Sequence, residues 1–173
     1  MRSSVATIVA FAALSAASVG VHAGETPEIR RDPGKPQAVG VRHTLRTIPE
    51  ACARIEGQFT GKPASPYLSE VVNTNPACHP RARLRDASEA KPNKTDGWIF
   101  NDQIEVHSAE CPSQVAVVRV WRKPSTTAVP PKLDAQGRAR VYIGGAEDTL
   151  KSHGISQLPQ YAIATNVEGK ACK

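Results

Sequence analysis

The chain has 173 residues, a formal charge of +6 and only two tryptophans. That length suits one domain, and no internal repeat or heptad period points to a solenoid or a coiled coil. The longest apolar stretch, Val5 to Val21, is shorter than the roughly 20 residues a membrane-spanning helix needs, so no span is expected.

Residues 1–23 read as a secretory signal peptide. Arg2 supplies a basic start, Val5 to Val21 an apolar run broken by small polar residues, and Ala23 a small residue before the cut. Gly24 rather than Cys follows, so no N-terminal lipid anchor is expected. The Ala-rich leader is bacterial in style, and the expected product is a periplasmic or secreted protein. Losing Arg2 with the leader takes one unit from the +6 and leaves +5, a balance that favours anionic partners.

Residues 24–46 hold Pro27, Pro33, Gly34 and Pro36 among charges, without an apolar period, and read as a flexible N-terminal arm. Residues 47–173 read as a single globular domain. Thr47-Ile48-Pro49-Glu50 matches a capping box with proline in the first turn, which predicts a short helix soon stopped by Gly57. Beyond it the period is two. Strands are predicted around Ile55–Phe59, Tyr67–Asn73, Arg81–Arg85, Ile104–His107, Val115–Trp121, Ala139–Ile143 and Tyr161–Val167, with Gly- and Pro-rich breakers between most of them. The β-branched run Val115–Trp121 reads as a central strand with both faces covered. The pattern predicts a mainly β fold, a small antiparallel sandwich or barrel with one or two short helices. A helix within Glu147–His153 would make the fold α+β instead.

Cys52, Cys78, Cys111 and Cys172 all follow the leader, and an even count in an oxidising compartment reads as two disulfides. Four cysteines allow three connectivities. Sequential pairing, Cys52 with Cys78 and Cys111 with Cys172, needs the fewest crossings and is preferred. No Cys-x-x-Cys spacing supports zinc or redox exchange.

Few residues invite catalysis. His43 falls in the expected arm, His79 beside Cys78, and His153 just before Gly154. Glu105 and His107 are two apart on a predicted strand, so they share a face and would suit acid–base chemistry; a solvent-facing strand edge is the simpler explanation and is preferred. No Gly-x-Ser-x-Gly elbow, Walker spacing or His-Glu-x-x-His motif occurs. No metal, cofactor or catalytic residue is therefore assigned. Asn93-Lys94-Thr95 fits a glycosylation sequon, but in a bacterial protein such a match is usually accidental.

The better constellation is basic. Arg81, Arg83 and Arg85 share one predicted strand face, and Arg138 and Arg140 share another with Tyr142. Guanidinium forks suit phosphate and carboxylate, and a phenol among them can stack. The competing explanation is a wet sheet face kept polar for solubility. The expected function is a non-enzymatic envelope module binding an anionic polymer or a protein partner through Arg81, Arg83, Arg85, Arg138, Arg140 and Tyr142. Two alternatives are a periplasmic inhibitor or immunity-type protein using the Pro124–Pro131 loop, and a hydrolase using Glu105 and His107.

Overall fold

The structure is a computed structural model and describes residues 25–125 and 158–172. Two sheets organise it. Strands β1 (His43–Ile48), β2 (Ala53–Phe59) and β3 (Tyr67–Asn73) form an antiparallel sheet in the order β1-β2-β3. Strands β4 (Arg83–Asp86), β5 (Ile99–His107), β6 (Gln114–Lys123) and β7 (Gln160–Gly169) form the second, ordered β4-β7-β6-β5. Its β4–β7 pair is parallel and the others antiparallel. Helical structure among the described residues is limited to single turns at Pro49–Ala51, Ala87–Ala90 (α1) and Lys94–Asp96.

The two-residue period explains the packing. Leu45, Ile48, Ile55, Phe59 and Tyr67 from the first sheet meet Ile104, Val106, Val118, Val120 and Ile163 from the second in one buried core. A single apolar layer between two sheets is the sandwich architecture. As expected, β6 is an interior strand, with Ala116, Val118 and Val120 on the core face and Val117 buried on the other. The disulfides pair sequentially. Cys52–Cys78 and Cys111–Cys172 have Cα separations of 5.8 and 5.7 Å. By chain entropy they restrain the unfolded chain by roughly 3.6 and 4.3 kcal/mol. The second ties the end of β7 to the β5–β6 connection.

Three expectations change. The helix predicted from Thr47 is only the 3-10 turn Pro49–Ala51, with no side-chain cap, because Thr47 and Ile48 are still paired to Arg54 and Ala53 in the β1–β2 ladder. Cys52 then adopts a left-handed conformation and β2 begins at once. The arm predicted over 24–46 is not free in its described part. Residues 43–46 belong to β1, and the preceding segment lies along β5, where its charged side chains find partners that no periodicity analysis reveals. Arg81 precedes β4 rather than sharing it. The predicted strand at Ala139–Ile143 and helix within Glu147–His153 lie outside the described residues.

Gly57 in β2 leaves room for the Tyr67 ring. A Cβ there would lie 1.8 Å from the Tyr67 hydroxyl oxygen. Gly57→Ala should therefore displace the ring and cost about 1–3 kcal/mol of stability by urea denaturation. An unchanged midpoint would mean that the ring moves aside freely.

Candidate functional site

Along the free edge of β5 runs an N-terminal strap, residues 26–37. It is pinned at two places. Ile29 stands opposite Asp102 and Gln37 opposite Ser108, both in parallel register. The strap amides of Glu28, Ile29 and Gln37 donate to the carbonyls of Phe100, Asn101 and His107 at 3.1, 2.9 and 2.8 Å. Between those pins the strap has two more residues than β5 does. Pro33 and Pro36 fall in that interval and have no N–H to give to a ladder. The surplus bows outward. Beneath it lies a cleft of about 500 Å³, floored by Leu45, Ile104 and Val106 and rimmed by Arg30, Lys35 and His43.

A buried ion network holds the near pin. Asp102 follows an irregularity in the β5–β6 register and is fully buried on the core side of its sheet. Arg31 grips it with both ends of its fork, Nε to Oδ1 at 2.9 Å and a terminal nitrogen to Oδ2 at 2.7 Å. Arg46 of β1 adds a third bond to Oδ2 at 3.0 Å. Bidentate, charge-assisted bonds are the strong kind and suit a carboxylate removed from water. Beside them, Arg122 donates twice to Glu28 at 2.6 and 2.5 Å, and the Asn101 amide donates to the same carboxylate at 2.7 Å. The hydrogen bond from Arg122 is the main cause that holds the Glu28 carboxyl at about 2, below its ordinary 4.5. The Arg46 guanidinium also lies 6.0 Å from the centre of the Tyr161 ring, whose hydroxyl is pushed up chiefly by burial.

His43, at the cleft rim, bonds Tyr67 Oη through Nε2 at 2.8 Å and faces the Val41 carbonyl through Nδ1 at 3.2 Å. With Nδ1 protonated toward that carbonyl, Nε2 accepts the Tyr67 proton; the tautomer follows from the bonding network. Burial pushes the Tyr67 phenol up, which keeps it a hydroxyl donor.

The residues singled out from sequence fall in three places. Arg83 and Arg85 project from the same side of β4, while Leu84 between them packs on the core. Gln160 pairs with Arg83 on one side and Lys123 on the other, which sets Lys123 on that same sheet face. Arg81 is exposed just before the strand, its amide bonded to the Glu50 carbonyl at 2.6 Å. Arg138, Arg140 and Tyr142 lie outside the described residues, as does most of the Pro124–Pro131 loop. Glu105 and His107 share the outer face of β5, yet among the described residues no hydrogen bond joins them. Glu105 instead accepts from the Gln103 amide at 2.8 Å. Among the described residues no cluster of three or more His, Cys, Asp or Glu side chains is placed to hold a metal.

Ion pairing divides the arginines. Arg31, Arg42, Arg46, Arg54, Arg119 and Arg122 each meet a carboxylate. Glu56 is the clearest case on the first sheet's outer face: its burial is outweighed by Arg54 and Arg42, which hold its carboxyl below the usual range. Arg30, at the cleft rim, and Arg81, Arg83 and Arg85 have no carboxylate partner among the described residues. Sequence reasoning missed Glu28, Arg31, Arg46, Asp102 and Arg122, the residues that anchor the strap. No protein-family model, curated protein or solved structure matches this chain.

The Glu28 contact carries a pH dependence of known sign. A carboxyl depressed in the folded state stabilises above its ordinary value of 4.5 and loses that contribution as pH falls toward about 2. Protection of the Ile29 amide, corrected for intrinsic exchange, should therefore fall across that window while Val118 in β6 stays protected. Glu28→Gln should abolish the acid step; a step that persists in this variant would contradict the assignment.

Proposed function

We propose that the protein is an exported, non-enzymatic binding module that takes an anionic polymer of the cell envelope on the β4 edge. One observation supports this reading. The arginines that hold the sandwich together are neutralised by carboxylates, whereas among the described residues Arg81, Arg83 and Arg85 meet none, and Lys123 extends the Arg83–Arg85 face across the sheet. Guanidinium forks not already engaged by a carboxylate of the fold can donate to phosphate or carboxylate from outside. The leader at 1–23 and the two disulfides fit an oxidising compartment. For the hydrolase alternative the geometry adds nothing, since Glu105 is engaged by Gln103 and His107 does not line the cleft.

Co-sedimentation of the purified protein with isolated cell-wall sacculi tests the reading. Retention should fall steeply between low and moderate salt. Replacing Arg81, Arg83 and Arg85 by Glu should lower it at least about tenfold, since each cation near an anionic surface contributes on the order of 1 kcal/mol. The melting temperature should stay within a few degrees, because Arg81 and Arg85 are exposed and Arg83 is only half-buried. Equal retention of the triple variant and the parent would overturn the proposal.

A further inference from the structure

We infer that the cleft beneath the strap is a strand-addition site, which takes an extended, proline-free peptide of a partner protein onto the free edge of β5. This does not depend on the polymer-binding reading, because β5 and β4 are the opposite edges of the four-stranded sheet.

The main chain carries the argument. The His107 carbonyl accepts from the strap at Gln37, and the Ala109 amide donates back to the same residue at 2.9 Å. In an extended strand, groups two residues apart face the same edge. Gln103 and Glu105 therefore turn both their N–H and their C=O toward the strap. The Ile29–Asp102 bridge turns the Gln103 N–H toward the Ile29 carbonyl, but among the described residues no strap hydrogen bond reaches the Gln103 carbonyl or either main-chain group of Glu105. The strap bypasses this stretch because its Pro33-Gly34-Lys35-Pro36 segment is short of donors and carries the surplus length. An unpaired strand edge is a template for another chain, and here it sits inside a cleft rather than on open surface.

Size and lining define the occupant. Four residues of β5 span about 13 Å, the reach of a peptide of about four residues in extended form. A volume near 500 Å³ suits that length. The peptide residue opposite Ile104 would turn to the same sheet face as Ile104, beside Leu45, so an apolar side chain belongs there. Its neighbours would alternate to the side of Gln103 and Glu105, where polar residues are accommodated. Specificity then comes from one apolar position, and affinity from main-chain bonds to the Gln103 carbonyl and to Glu105. Proline in the central positions would be rejected because it cannot donate.

The test is selection from a library of capped random hexapeptides on the immobilised, purified protein, followed by two controls on the winners. Glu105→Pro removes an edge-facing N–H and leaves the β5–β6 ladder its own donors, so the variant should keep its thermal transition. Selected peptides should carry an apolar residue flanked by non-proline positions and should bind Glu105→Pro about tenfold or more weakly. N-methylation of their central amides should cause a similar loss on the unaltered protein, a control that needs no protein variant. Failure to enrich any peptide, equal binding by Glu105→Pro with its fold intact, or tolerance of N-methylation would each overturn the inference.

Discussion

The buried carboxylate of Asp102 is the constraint on which the rest of the architecture depends. Removing a charge from water costs several kcal/mol, and the cost is recovered only where the geometry of its partners is excellent. Asp102 meets that condition with three hydrogen bonds from two arginines drawn from different parts of the chain. Arg31 belongs to the strap, Arg46 to β1 and Asp102 to β5, so one ion cluster fastens the N-terminal segment to both sheets. The neighbouring Glu28–Arg122 pair repeats the device at the same end. With the strap held at that end and at Gln37, its middle is free to bow, and the cleft is the result.

The arrangement also gives the positive charge of the chain two different uses. Arginines facing Glu28, Glu56, Asp102 and Glu168 are internal fasteners, and their charge is spent within the fold. Among the described residues, the β4 edge carries three arginines that are not neutralised this way. A count of basic residues cannot separate the two groups, because Arg31 and Arg83 look alike in a list. Position relative to a carboxylate makes the difference. The two proposed binding surfaces follow from this division: the cationic edge offers charge, while the opposite edge offers unpaired main chain.

Much of the fold was legible from the period of two. The strand at Tyr67–Asn73 and the interior position of Val115–Trp121 rest on alternation and β-branching, and both disulfides follow from sequential pairing. Local signals misled where long-range pairing competed with them. Thr47-Ile48-Pro49-Glu50 has the chemistry of a helix start, but the β2 ladder holds Thr47 and Ile48 extended. From sequence the strap reads as an arm, because prolines and charges look like disorder when their partners lie some 70 residues away, as Asp102 does for Arg31. One signal for the site was present. Asp102 stands in step with Ile104 and Val106, so a carboxylate occupies an inward position of an otherwise apolar strand face. An inward charge requires a cationic partner, and only the folded chain identifies it as Arg31 and Arg46. The Arg83–Arg85 face was legible because it depends on strand alternation alone.

A double-mutant cycle between Arg31 and Asp102, using Arg31→Gln and Asp102→Asn with stability read by urea denaturation, tests the anchoring of the strap most directly. The account predicts that the two sites are coupled by more than about 1.5 kcal/mol, since the pair is bidentate and one member is wholly buried. A coupling below about 0.3 kcal/mol would show that the two residues act independently. Asp102 would then not be what fastens the N-terminal segment to the sandwich.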